Sequence, residues 1–461
     1  MIRAAMVCAA AVIAAGFGAT AANYPLTFKT VTADQISKLP GGYGAMGDLR
    51  ANKPAGIKKE PKAISRHPLY GETREDESGP RYVFRLDESK GDGKGYDRLI
   101  VDMNQNGDLT DDGVAPRDTD PADAPRVSSA PRPAWFGPIQ VPAGTEFCGG
   151  RPIFFANVYL RPMAGSASGE SGGYSGYVRL KAGWYLETTV NLNGAEQKIA
   201  VYDGNGNLKL GDLPEPQTYG SGTEKRWYFK PGDAFFVDAD GSGAFELGPL
   251  DLEARPFGPL LCLGATPCKA ALAADGKSLR LEPYTDPLAE VAIEPRGDQV
   301  RNLTLAWEHP AGKWQLLNTP VEKGRVQVPP GRYRFYYCAV FGQNSGADPV
   351  MASANQSVQK TPFKFEAGKA NTLRCGAPLE VAAQAQKRTP QAYELPRDSK
   401  PDPRKDSEYI VRINANFHGA DGEVYSTFAK GPKLAGNPAK PVFRVLGADG
   451  KELAKGNLEF G

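Results

Sequence analysis

The sequence predicts a mainly β protein, a chain of antiparallel β-sheet and β-sandwich modules with acidic loops set between the strands. Three observations carry this expectation. Short runs rich in Val, Ile, Phe, Tyr and Thr alternate apolar with polar residues, as in Arg81–Asp87 and Tyr333–Val340. Turn signals separate these runs, among them Asn193-Gly194, Asp275-Gly276 and Pro330-Gly331. Neither flank of the acidic loops has a helical period of apolar residues.

In chain order, residues 1–22 have the pattern of a secretory signal peptide. Arg3 gives a positive start, Met6 to Phe17 form the apolar centre, and Ala19-Thr20-Ala21 offers a small-residue cleavage site. The apolar run is about a dozen residues, short of the ~20 that span a bilayer. Cys8 would leave with this segment. No other segment is long and apolar enough to cross a membrane, so the expectation is an exported protein, secreted or in the periplasm or cell envelope, and not transmembrane.

Residues 23–135 are expected to be a first β region. Arg81–Asp87 and Asp97–Asp102 are its clearest strands, and Pro116–Pro133 is an irregular connector. Residues 136–286 form a second β domain, with a strand at Pro152–Leu160 and a hairpin, Trp184–Leu192 and Gln197–Tyr202, turned by Asn193-Gly194. A strand at Asp233–Val237 and a second hairpin through Asp275-Gly276 complete it. Residues 287–383 have the marks of a small β-sandwich, with Pro329-Pro330-Gly331 feeding the aromatic strand Tyr333–Val340. Residues 384–408 are polar and carry Pro390, Pro396, Pro401 and Pro403, the composition of a linker. Residues 409–461 return to strands, ending in Asn457–Phe460, and are too few for a robust core of their own, so they are expected to pack on the preceding module.

Three strands end in loops that suit calcium, which takes six to eight hard oxygen ligands in a small sphere. The first is Asp102 to Asp112, where Asp102, Asn104 and Asn106 alternate, Gly107 permits the turn, and Leu109 is an apolar anchor. Asp108, Asp111 and Asp112 add carboxylates. The second is Asp203 to Asp212, with Asp203, Asn205 and Asn207 alternating and Asp212 after them. Leu208 stands where the turn glycine belongs, so this loop is expected to be wider and its ion looser. The third runs from Asp238 through Asp240 and Ser242 to Gly243, Phe245 and Glu246. All three lack a Glu at the twelfth place, so a nearby carboxylate must close each sphere. Binding in the weak extracellular range, ~10⁻⁴–10⁻³ M, is expected because amides replace carboxylates.

The run Gly95–Asp102 leading into Asn104–Asp112 resembles a pattern in uncharacterised large exported bacterial β-rich proteins. So do the hairpin leading to Asp203–Asp212, the strand leading to Asp238–Phe245, and the closing residues Gly456–Gly461. The resemblance implies a β scaffold with EF-hand-like calcium loops and implies no reaction. Individually the loops are similar to those of dockerin modules and thrombospondin type 3 repeats, without the paired helices of a dockerin.

Composition narrows the function. Lys plus Arg total 55 against 53 Asp plus Glu, with no long run of one sign, so nucleic acid is not an expected partner. Of the six cysteines, five follow the signal segment. In an exported chain these suggest disulfides, here Cys262–Cys268 and Cys338–Cys375, with Cys148 free. The three histidines stand apart in sequence, and no Cys-x-x-Cys is present. Gly169-Glu170-Ser171-Gly172-Gly173 matches a nucleophile elbow, but a Gly/Ser loop precedes Ser171 and a strand pattern follows it, so Ser171 is not expected to be catalytic. The expectation is a non-enzymatic, calcium-binding structural or adhesion protein of the cell envelope. The alternative is an extracellular carbohydrate-binding or carbohydrate-active protein, with polysaccharide or another cell-surface component as the partner.

Overall fold

The computed structural model describes residues 21–36, 44–73, 80–91, 95–117, 134–162, 174–192, 195–219, 226–239, 241–245, 253–264, 266–295, 299–310, 312–343, 349–355, 362–376, 378–388, 410–421, 423–430, 442–447 and 449–457. Among them the regular secondary structure is almost entirely strand, with a single four-residue helix at Ala33–Ile36. No helix among the described residues is long and apolar enough to cross a membrane. The expected signal segment (apart from its last two residues), the Ser171 loop, the Asn193-Gly194 turn, Asp240, Glu246, most of the Pro116–Pro133 connector and Leu458–Phe460 lie outside the described residues.

The first core holds together residues from Leu26 to Leu281. One of its sheets orders Ala254–Pro256, Ala234–Val237, Ala195–Tyr202, Trp184–Leu192 and Thr27–Thr30. A second orders Ala45–Leu49, Tyr174–Ala182, Ile153–Pro162 and Ala134–Gln140. The start of the chain is stitched to its distant parts, since Ala22–Pro25 pairs with Ser278–Leu281 and Thr27–Thr30 pairs with Trp184–Glu187. The expected boundary between residues 135 and 136 therefore falls inside the strand Ala134–Gln140. The two expected modules share one core, because pairing over some 250 residues leaves no signal in local composition.

Leu69–Glu72, Val83–Asp87, Arg98–Val101 and Val114–Ala115 form a further sheet beside this core. One of its faces buries Tyr82, Phe84, Leu86, Leu99 and Val101 in the large core. The other face makes a small cluster of Ile57, Tyr70, Val83, Ile100 and Leu109. This two-faced burial explains why Val83–Asp87 is buried at every position.

The second core runs from Leu260 to Tyr425. A three-stranded sheet places Ala289–Pro295 between Arg325–Val328 and Asn371–Cys375, the last pairing parallel. The larger sheet orders Trp314–Pro320, Val300–Glu308, Gly331–Gln343, Pro349–Asn355, Val424–Lys430, Ile410–His418 and Glu380–Arg388. Val424–Lys430 pairs with Pro349–Asn355, so Ile410–His418 and Val424–Lys430 continue the sheet of the preceding module, whereas Val442–Leu446 and Glu452–Asn457 pair only with each other. The strand Glu380–Arg388 takes in the first residues of the linker expected from Gln384, and residues 389–408 of that segment lie outside the described residues. Gln384 to Arg388 pair residue for residue with Ile410 to Asn414. Residues 381–387 are exposed on both faces of this strand, so it lacks the apolar alternation that marks a half-buried one.

All five described cysteines are thiols, so neither the expected Cys262–Cys268 bridge nor the expected Cys338–Cys375 bridge is formed in this structure, and Cys148 is free. The expected Cys262–Cys268 bridge is excluded by register. The hairpin turn after Leu263 sets Cys262 opposite Pro267 and Cys268 opposite Leu261. The two side chains therefore leave opposite faces, Cys262 into the second core and Cys268 into the first. Cys148 lies apart from both, its Sγ 3.7 Å from the Gly276 carbonyl.

Candidate metal centres

The first loop leaves the strand Arg98–Val101 with its backbone already fixed by the core. Asp102 is 2% exposed, and Leu109 inserts into the small cluster beside it. The far side is clamped by Lys58 and Lys59, whose amides donate to the Gly107 carbonyl at 2.8 and 3.1 Å. Inside the loop, Asp102 Oδ2 accepts the Gly107 amide at 2.8 Å, and Oδ1 accepts the Asn106 amide at 3.2 Å. Asn104 Oδ1 accepts from the Asn106 amide, and Asn106 Oδ1 from the Asp108 amide. The amide nitrogens of Asn104 and Asn106 both donate to Asp111 Oδ2, at 3.3 and 2.8 Å. Asp111 thus closes the ring from the tenth position of the loop.

Asp112 stands next to this ring. Its Oδ2 is enclosed and has no hydrogen-bond partner among the described residues. Burial, with the charge of Asp102 behind it, pushes the Asp112 carboxyl up to about 7. A carboxylate so placed calls for a positive charge. Asp108 does not join the group. Its side chain turns to the Thr110 hydroxyl and amide and to Lys59 Nζ, 2.9 Å away, which hold its carboxyl down to about 2. In loops of this type the seventh residue supplies its main-chain carbonyl, which leaves the side chain of Asp108 free to point outward.

The second loop repeats the circuit position by position. Asp203 Oδ2 accepts the Leu208 amide at 3.0 Å, and Oδ1 accepts those of Asn207 and Gly206. Asn205 Oδ1 accepts from Asn207, and Asn207 Oδ1 from Lys209. Both Asn amide nitrogens donate to Asp212 Oδ2, at 3.1 and 2.6 Å. The backbone repeats too. Gln105 and Gly107 have φ of 60° and 82°, and their counterparts Gly206 and Leu208 have 74° and 61°. The expectation that Leu208 would widen the loop is therefore corrected. Its left-handed φ costs about 1 kcal/mol, which is offset by the hydrogen bond to Asp203 and by packing of its side chain on the large core.

The second loop also draws in an acid from outside its own span, where the sequence predicts only the start of a strand. Asp233 is buried, and its oxygens accept the amides of Gly204, Gly211 and Asp212 at 3.2, 2.6 and 2.9 Å. Burial raises the carboxyls of both Asp203 and Asp233, that of Asp203 to about 7, and the charge of Asp203 is the next contributor at Asp233. The only available hint was the pair Gly232-Asp233 before an apolar strand.

The third loop shares the frame but not the closure. Gly241 and Gly243, in the fourth and sixth positions, have φ of 71° and 80°. Asp238 Oδ2 accepts the Gly243 amide at 2.9 Å, and Ser242 Oγ accepts that of Ala244. Asp238 is 4% exposed, and its Oδ1 has no hydrogen-bond partner among the described residues. Phe245 anchors the loop between Tyr185 and Phe236. No acid occupies the tenth position, which is Leu247. Instead the buried Glu253 reaches back from the next segment, its Oε1 accepting the Ala239 amide at 2.9 Å. Distance in sequence hid this residue.

Among the described residues, no group of three or more His, Cys, Asp and Glu side chains is placed to hold a metal ion by itself. The loops offer mixed sets of carboxylate, amide, hydroxyl and main-chain oxygens. Such sets suit a hard, oxygen-seeking cation and not zinc or copper. No family model, curated protein or solved structure matches this chain.

Proposed function

We propose that this protein is an exported β scaffold whose loops are stapled by calcium, and that it serves as a structural or adhesion component of the cell envelope without a reaction of its own. The observation that carries this reading is the recurrence of one hydrogen-bond circuit in two loops that share the Asp and Asn spacing but differ at the turn residue, closed by Asp111 and Asp212 at the same position. Asp102, Asn104, Asn106, Asp111 and Asp112 would hold the first ion. Asp203, Asn205, Asn207 and Asp212 would hold the second, and Asp238, Ser242 and Glu253 fit a third. A bound ion would neutralise carboxyls that burial otherwise disfavours and tie each strand end to its loop. Titration calorimetry with calcium on chelator-treated protein tests this, with magnesium as the control. The expected result is at least two calcium ions per chain and little heat with magnesium. Absence of calcium heat on protein shown to be metal-free would overturn it.

A second reading, recognition of an extracellular polysaccharide, draws on a cavity of about 510 Å³ at the seam of the two cores. Lys269, Arg280, Glu282, Tyr284, Trp307 and His309 line it. Tyr284 lies under Lys269 Nζ, 5.9 Å from its ring centre, and Glu282 pairs with both Lys269 and Arg280. An aromatic surface beside paired charges suits a sugar, whose ring has an apolar face and a polar rim. A glycan array with wild type and Tyr284→Ala decides it. Binding lost in the variant supports this reading, and no binding by wild type removes it.

A further inference from the structure

Cys338 and Cys375 come from different sheets of the second core. Cys338 lies in the long strand Gly331–Gln343, opposite Leu303 and Ala354. Cys375 ends the strand Asn371–Cys375, beside Pro295 in the three-stranded sheet. Both are fully buried, and Cys338 is the main neighbour acting on the Cys375 thiol. The surrounding geometry fixes this meeting independently. Cys338 Sγ is 3.1 Å from Tyr425 Oη, which donates to Glu423 Oε1 at 3.2 Å. The same Glu423 oxygen accepts the amide of Gly376, next to Cys375, at 2.6 Å. A Cβ on Gly376 would sit 3.6 Å from the side chain of Val340, two residues beyond Cys338. The chain thus closes a ring through Cys338, Tyr425, Glu423, Gly376 and back to Cys375.

We propose that Cys338 and Cys375 form a disulfide that rivets the three-stranded sheet to the larger one. The oxidant is a disulfide-bearing thiol compound or oxidoreductase of the compartment in which the chain folds. One cysteine, as thiolate, attacks that disulfide and releases one thiol. The other cysteine then displaces the second thiol and closes the bond. Two S–H groups and one external disulfide become one internal disulfide and two external thiols. Contact with Cys338, and burial, hold the Cys375 thiol well above the usual thiol range, so the native core disfavours the attacking thiolate. Exchange therefore belongs to folding, before the sheets close, and the finished bond is sealed from reductant. This inference is independent of calcium. Cys268 faces the first core and is separated from the pair, whereas Cys262 shares the second core with it.

The test is peptide mapping of wild-type protein recovered from an oxidising compartment, alkylated once in the native state and again after denaturation. The expected result is a cross-linked pair of peptides carrying Cys338 and Cys375, with Cys262 and Cys268 alkylated only after denaturation. Native protein held in reductant should keep the bridge, and denatured protein should lose it. Recovery of Cys338 and Cys375 as alkylated thiols, or of either joined to another cysteine, would overturn the proposal. Cys262→Ser should leave the bridge unchanged, which excludes a shuffled pairing.

Discussion

The loops after Val101 and after Tyr202 reach one hydrogen-bond circuit from different sequences and in different surroundings. The first sits at the edge of a small cluster, held from outside by Lys58 and Lys59. The second is sunk in the large core, with Asp203 fully buried and Asp233 holding its exit. Both end on an Asp in the tenth position that takes two Asn amides. What a loop of this kind needs is therefore the alternation of short oxygen side chains, two left-handed residues and one closing carboxylate. A glycine at the turn is a convenience. Where the core supplies packing and the first Asp supplies a hydrogen bond, leucine takes the same backbone.

Removing the cation should produce the largest effect and act on both loops. A ligand that binds only the folded state adds ~2.7 kcal/mol per site at a hundredfold excess over its dissociation constant. With dissociation constants of ~10⁻⁴–10⁻³ M that excess needs roughly 10–100 mM calcium, where thermal melts should lie several degrees above melts in chelator. Coincident curves on metal-free protein would break the comparison by showing that both circuits stand without an ion.

The next effect separates the loops. Asp203→Ala leaves the amides of Gly206 and Leu208 without their acceptor inside the core, while that of Asn207 keeps Asn205 Oδ1. Asp102→Ala strands the amide of Gly107 nearer the surface, while that of Asn106 keeps Asn104 Oδ1. Buried unpaired groups cost about 1–3 kcal/mol each before relaxation. In chelator, Asp203→Ala should lose roughly 3 kcal/mol and Asp102→Ala roughly half that, measured by denaturant unfolding. The reverse order would show that burial does not set the difference.

A smaller effect tests what the loops share. Asp111→Asn and Asp212→Asn keep the size of the closing residue and remove its charge. Each should weaken its own site by about tenfold, or ~1.4 kcal/mol, and leave the other untouched by calorimetry. Unequal losses would mean that Asp112 or Asp233, and not the tenth residue, closes one of the spheres.

The sequence revealed these features unevenly. The β class was legible because alternation is a local signal, and the Asp/Asn spacing of the loops was legible for the same reason. Asp233 and Glu253 were not, because each reaches its loop through strand pairing. The faces of Cys262 and Cys268 turned on a register that one residue decides, since Cys262 is opposite Pro267 and not Cys268. Gln384 to Arg388 were misplaced because that part of the strand is exposed on both faces. The joining of residues 23–286 into one core depends on Ala22–Pro25 meeting Ser278–Leu281, which no local pattern announces.

The smallest effect is the sharpest test of the comparison. Leu208 and Gly107 occupy one position of the same circuit at φ of 61° and 82°. Leu208→Gly removes the strain of a left-handed leucine, worth about 1 kcal/mol. It also removes the contacts of a partly buried side chain with the large core, a loss of about 1 kcal/mol for half of a leucine's burial. The two terms nearly cancel, so stability should move by less than ~1 kcal/mol. Calcium affinity should stay within about threefold, or ~0.7 kcal/mol, because the amide that meets Asp203 Oδ2 is still there. Gln105→Gly is the matching change in the first loop, where φ is 60° and the side chain is exposed. It relieves the left-handed strain but gives up an exposed hydrogen bond from the Arg81 amide to Gln105 Oε1 at 3.3 Å, so stability should change by less than ~0.5 kcal/mol. A clear gain in affinity from Leu208→Gly, with none from Gln105→Gly, would mean that leucine does hold the second loop open and that the two circuits are not equivalent.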